Sequence, residues 1–132
     1  MSKNLILISH GNFCNELKKS TEMIMGEQKN IYTVALLPED SSEDFRKKFL
    51  LISDSLDDFV VLCDLLGGTP ANVVAKLILE GKDLDVYTGM NLPMVIEFIN
   101  ANLLGDLPDF IHAGSTSILS LNQQIQALEE ED

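Results

Sequence analysis

Basic side chains are scarce in this chain. Nine Lys and Arg stand against 21 Asp and Glu, a formal charge of −12 at neutral pH. A surface of that sign repels a phosphate backbone, which excludes nucleic acid as a partner. Part of the charge is terminal, in Glu129-Glu130-Glu131-Asp132, and such a run reads as a solvated, frayed end. Cysteine is scarce too. Cys14 and Cys63 lie far apart in sequence, so neither a CxxC metal pair nor a redox motif is available. They suit a reducing compartment, with Cys63 inside an apolar run as a small buried hydrophobe. Long apolar runs are absent as well. Leu5–Ile8 is too short for the apolar segment of a signal peptide, and nothing approaches membrane-spanning length, so the expected location is the cytoplasm. The nucleotide-binding glycine signatures are also missing. Gly67-Gly68-Thr69-Pro70 lacks both the Gly-Lys-Ser/Thr ending of a P-loop and the GxGxxG spacing of a dinucleotide fold.

What is present is a chain of 132 residues with 45% apolar content, which suits one globular domain over 1–132 with a substantial core. Strand-length apolar runs alternate with segments of helical period. Leu5–Ser9 reads as a first strand, and Phe13–Met25 as a helix with Phe13, Leu17, Thr21, Ile24 and Met25 near one face, closed by Gly26. Ile31–Leu37 is a second strand, ended by Pro38. Ser42 opens a helix carrying Phe45, Phe49, Ile52 and Leu56 inward. Phe59–Asp64 is a third strand. Thr69 as N-cap and Pro70 as first helical residue open a helix over Pro70–Leu79. Leu84–Thr88 is a fourth strand, Pro93–Asn102 a further helix, and a short helical piece follows Leu107-Pro108 to about Gly114. Ser117–Leu121 fits an edge strand or a terminal helical turn, and the strand is favoured. The alternation predicts an α/β doubly wound domain, with a mainly parallel sheet of order 2-1-3-4, helices on both faces and a possible C-terminal antiparallel edge strand.

In that order strands 1 and 3 are neighbours whose connections leave in opposite directions, so their carboxyl ends frame the crevice where such folds place ligands. His10 closes strand 1 and Asp64 closes strand 3. A carboxylate accepting from one imidazole nitrogen fixes the tautomer and leaves the other lone pair free to attack. The bland alternatives are a polar cap for His10 and backbone N–H acceptance for Asp64. Gly11 permits a tight turn after the imidazole. Gly67, Gly68 and Thr69 lead into a helix N-terminus, where free N–H groups, the helix dipole and the Thr69 hydroxyl favour an anion. Asn91 is expected to be structural, and His112 to be a surface or interface residue. No metal set accompanies these residues, and a histidine that carries a phosphoryl group needs little beyond in-line access, an oriented ring and donors for the equatorial oxygens.

Ile8-Ser9-His10-Gly11, Asp64-Leu65-Leu66-Gly67-Gly68-Thr69-Pro70-Ala71-Asn72 and Gly89-Met90-Asn91-Leu92-Pro93-Met94 closely resemble the IIA component of mannose-family sugar phosphotransferase systems. The three motifs stand in order across nearly the whole chain, with Ser9 where threonine is more usual. The resemblance implies a phosphotransferase in which His10 accepts a phosphoryl group from phospho-HPr and passes it to a histidine of a IIB partner, which serves the membrane IIC and IID components. It implies that Asp64 orients His10, that Thr69 is the hydroxyl of the phosphate cradle, and that no cofactor is required. It further implies a homodimer in which a C-terminal antiparallel strand, here Ser117–Leu121, crosses to the partner's sheet. No IIB region follows in this sequence, so the acceptor is expected to be a separate polypeptide. The phosphotransfer subunit of dihydroxyacetone kinase shares the fold, but His10-Gly11 and the Leu65–Pro70 stretch favour the sugar-transport branch. The rival readings are a non-catalytic regulatory module using the same crevice and a phosphate-ester hydrolase, the latter disfavoured because no metal set or second acid is evident.

Overall fold

A computed structural model describes residues 3–131. Four parallel strands, β1 (Asn4–His10), β2 (Ile31–Leu36), β3 (Phe59–Cys63) and β4 (Val86–Thr88), form one sheet in the order β2-β1-β3-β4. The central strand β1 is covered on both faces, which is why its sequence is continuously apolar rather than alternating. Leu5 and Leu7 meet α1 (Phe13–Met25), α4 (Leu92–Leu104) and α5 (Phe110–Thr116) in one core cluster. Ile6 and Ile8 meet α2 (Ser42–Ser53) and α3 (Thr69–Leu79) in the other. The doubly wound architecture expected from the alternation is therefore the one observed.

Local sequence accounts for the helix ends. Ser41 accepts from the Asp44 N–H while the Asp44 carboxylate accepts from the Ser41 N–H, a reciprocal cap that starts α2. Gly26 closes α1 at φ +86 and Gly105 closes α4 in the left-handed region. On α1 the inward residues are Cys14, Leu17 and Thr21, whereas Phe13 and Ile24 are exposed. Leu17, Thr21 and the partly buried Met25 thus hold the expected face, with Cys14 in place of Phe13 and Ile24 turned outward.

Three expectations at the chain's turns and end need correction. Thr69 is not the N-cap of α3. Gly68 is, in extended conformation, and Thr69 and Pro70 are the first two helical residues. Ser117–Leu121 forms no strand. Thr116 and Ser117 hydroxyls turn back onto the His112 and Gly114 carbonyls, and Ser120 starts a new helix, α6 (Leu121–Glu131), by accepting from the Gln123 N–H. Ser120-x-x-Gln123 has the spacing of a helix start, and Leu121, Ile125 and Leu128 follow at helical period. A strand would need a neighbour for its backbone groups, and among the described residues the edge strand β4 pairs only with β3. The terminal acidic run, expected to be frayed, is helical through Glu131, with Asp132 outside the described residues.

Candidate functional site

The parallel register sets Ile8 opposite Cys63, and the Asp64 N–H donates to the Ile8 carbonyl at 3.2 Å, carrying the pairing one residue beyond β3. His10 and Asp64 therefore emerge side by side from adjacent strands. One carboxylate oxygen, Asp64 Oδ2, accepts from the His10 backbone N–H at 2.9 Å and lies 2.8 Å from His10 Nδ1. The two strand ends thus meet at the switch point of the sheet.

Exposure differs sharply across this pair. The His10 side chain is 47% exposed and that of Asp64 12%. Burial on its own pushes the Asp64 carboxyl up, but the His10 backbone N–H and then its imidazole outweigh burial and hold it below the ordinary carboxylate value. A carboxylate kept ionised can only accept, so Nδ1 carries the ring proton and Nε2 keeps its lone pair when the imidazole is neutral.

The turn that presents the imidazole is held from below. Gly11 sits at φ +54, a conformation that favours glycine, and its N–H reaches the Leu36 carbonyl at 2.7 Å. Ser9, fully buried, accepts from the Cys14 N–H at 2.8 Å and donates to the Gly11 carbonyl at 3.1 Å. Its hydroxyl ties the end of β1 to the first turn of α1. That role was not visible in the sequence, where a serine beside a histidine carries no signal of its own.

Gly68 does something other than offer an N–H. A Cβ there would stand 2.4 Å from His10 Cε1 and 2.8 Å from Nε2, so the ring lies against the glycine's bare backbone. Gly67, at φ +90, makes the preceding turn. These contacts bring Nε2 to the start of α3, which has no side-chain cap and a proline in its first turn. The unpaired N–H groups and the positive end of the helix dipole there suit an anion carried on Nε2. The Gly67-Gly68-Thr69 turn therefore borders His10 through Gly68. Asn91 is structural: it caps α4 through the Met94 N–H and donates to the Gly114 carbonyl. His112 is exposed on α5. Among the described residues no group of three His, Cys, Asp or Glu could hold a metal ion.

The chain matches the EIIA-man family, described as the PTS system fructose IIA component, over residues 4–113. It belongs to that family. This IIA chain is 33% identical over 101 residues to the sorbose-specific EIIA component of Lacticaseibacillus casei, covering 74% of this chain and 73% of that protein. It is 26% identical over 131 residues to the mannose-specific EIIAB component of Escherichia coli, which takes in 97% of this chain, and it spans 40% of that longer protein. A crystal structure of a phosphotransferase system EIIA component from Streptococcus agalactiae superposes with a TM-score of 0.81 at 29% identity, covering 91% of this chain and 98% of that one.

As a phosphotransferase system IIA component, the chain presents its histidine on an open surface. A recess of about 440 Å³ lies elsewhere, between β4, α4 and α5, and neither His10 nor Asp64 lines it. Beside the site, Leu65 and Leu66 are exposed immediately after Asp64, and Phe13 is half exposed at the start of α1. This apolar lip was missed in the sequence, where Leu65-Leu66 read as part of the glycine motif. No helix among the described residues is long and apolar enough to cross a membrane.

Proposed function

We propose that His10 Nε2 is the phosphoryl acceptor of this IIA component. Phospho-HPr approaches the open face, its N–P bond breaks as the Nε2–P bond forms, and the bonding pair returns to the donor's ring nitrogen. The Nδ1 proton stays in place, and the ionised Asp64 stabilises the imidazolium character that develops. The Gly68–Thr69 backbone, the Thr69 hydroxyl and the α3 dipole receive the phosphoryl oxygens. The group then passes to a histidine of a IIB protein, which serves the membrane IIC and IID components. This reading places the chain in the cytoplasm and needs no cofactor. The observation that carries it is the single Asp64 oxygen bonded to both His10 N and Nδ1, with Nε2 set against Gly68.

Incubation with phosphoenolpyruvate, enzyme I and HPr tests the proposal. Acid-labile label should appear on the wild type and be absent from a folded His10→Ala variant. Label retained by His10→Ala, or found on His112, would overturn it. The apolar lip of Leu65, Leu66 and Phe13 supports protein rather than small-molecule partners, since exposed apolar side chains around a site suit a docking face. We also infer a homodimer. The described side chains of α6 are all exposed, and an isolated helix of 11 residues is marginal in water. Its Leu121, Ile125 and Leu128 face therefore calls for a second copy of the chain to cover it.

A further inference from the structure

We propose that Cys63 is a positioning residue for this site, its thiol donating to Asp64 Oδ1 and so fixing the carboxylate that holds His10. The proposal rests on His10 being the phosphoryl acceptor. Asp64 Oδ2 already has two His10 donors, the backbone N–H and Nδ1. A donor to Oδ1 adds a third hold on the carboxylate plane, at a side chain that is only 12% exposed. Cys63 Sγ stands 3.5 Å from Oδ1 and 3.6 Å from the Leu65 carbonyl. It is the one protein donor to Oδ1 among the hydrogen bonds of the described residues. The thiol is fully buried, within the cluster of Ile6, Ile8, Val34 and Phe45, so its packing leaves the S–H little choice of acceptor besides these two oxygens.

The chemistry of a buried thiol fits this task. Burial pushes Cys63 up to about 11, so at neutral pH the group is S–H, a donor, rather than a thiolate that would repel Asp64. Cys14 lies in the other core cluster, on the opposite face of the sheet, and does not share the role.

The test compares wild type with Cys63→Ala, Cys63→Val and Cys63→Ser, all above their folding threshold. Two quantities are measured: the His10 tautomer, by nitrogen-15 NMR of the unphosphorylated protein, and the rate of labelling by phospho-HPr. Ala and Val, which lack a donor, should reduce the Nδ1–H tautomer of neutral His10. They should lower kcat roughly three- to tenfold with KM unchanged, the scale of one modest hydrogen bond. Serine keeps a donor and should restore both. If Ala or Val does not fold, the remaining one against Ser gives the same contrast. Wild-type tautomer and kcat in the donorless variants would overturn the proposal, and so would a serine variant as impaired as alanine, since volume would then be what matters. The NMR readout needs no phosphotransfer. A tautomer that shifts between Ala and Ser in a protein that never takes label would uphold the thiol's role and overturn the phosphoryl-acceptor reading instead.

Discussion

The imidazole of His10 is held between an acid and a glycine, and each neighbour can be altered separately. In Gly68→Ala the backbone is not strained, because φ −89 and ψ 173 suit any residue. The new methyl instead occupies the space of Cε1 and Nε2, so the ring must swing off Asp64. The fold should hold while labelling by phospho-HPr falls about 10- to 100-fold, the scale of one lost hydrogen bond to a charged group. Unchanged labelling would show that the ring reseats without Asp64. Asp64→Asn removes the acceptor that fixes the tautomer, and transfer should slow by roughly 10²-fold or more. The same variant reports on pH. Asp64 lies below its ordinary value in the folded protein, so its ionisation contributes stability that is complete above the unfolded value of about 3.9 and is lost as pH falls through the lower folded value. Urea denaturation should therefore find wild type more stable than Asp64→Asn at pH 7, with the gap closing below about pH 4. A gap that is constant with pH would contradict the ionised pair.

At the scale of the elements, moving the cap of α3 from Thr69 to Gly68 changes what a substitution should do. Were Thr69 the N-cap, Thr69→Val would cost helix stability of about 1 kcal/mol. As the first helical residue it caps nothing, so thermal unfolding should shift little. Labelling by phospho-HPr should still drop about tenfold or more if the hydroxyl donates to the phosphoryl group. A destabilised variant with normal labelling would reverse that assignment. The elements most legible in the sequence were those whose signal is local. The apolar runs of β1 and β3, the Ser42 start of α2 and the Gly26 stop each state their role within a few residues, although the cap itself is Ser41, one residue earlier. His10 and Asp64 were legible together because strand order alone brings two strand ends side by side. Gly68 was legible as a turn glycine but not as the floor under an imidazole, since sequence shows that a side chain is missing and not which atom fills its place. Cys63 gave no sign of its hydrogen bond, because its position in an apolar run already explained it. Ser117–Leu121 misled because so short and irregular a stretch leaves strand and helical turn open, and the strand was favoured over the helix start that Ser120, within it, provides.

Across the whole molecule, apolar surface is concentrated in the C-terminal third, where Ile111, Ile118, Leu119, Leu121, Ile125 and Leu128 are all exposed. If a second copy covers this surface, Leu121→Glu with Ile125→Glu should shift sedimentation equilibrium from twice to once the 14.6 kDa chain mass, with His10 labelling preserved. A wild type that sediments as a single chain would remove the dimer. The His10–Asp64 pair draws its rigidity from a different part of the molecule. His10 and Asp64 emerge from β1 and β3, strands buried on both faces and joined by an unbroken ladder. Their separation is therefore a property of the sheet and not of a loop, and amide exchange at Leu5–Ile8 and Val60–Cys63 should require the largest openings of the chain. On the proposed reading, a visiting donor meets a target already set. The freedom that each transfer has to restrict belongs to the two proteins' encounter, and hardly at all to the residues that receive the group.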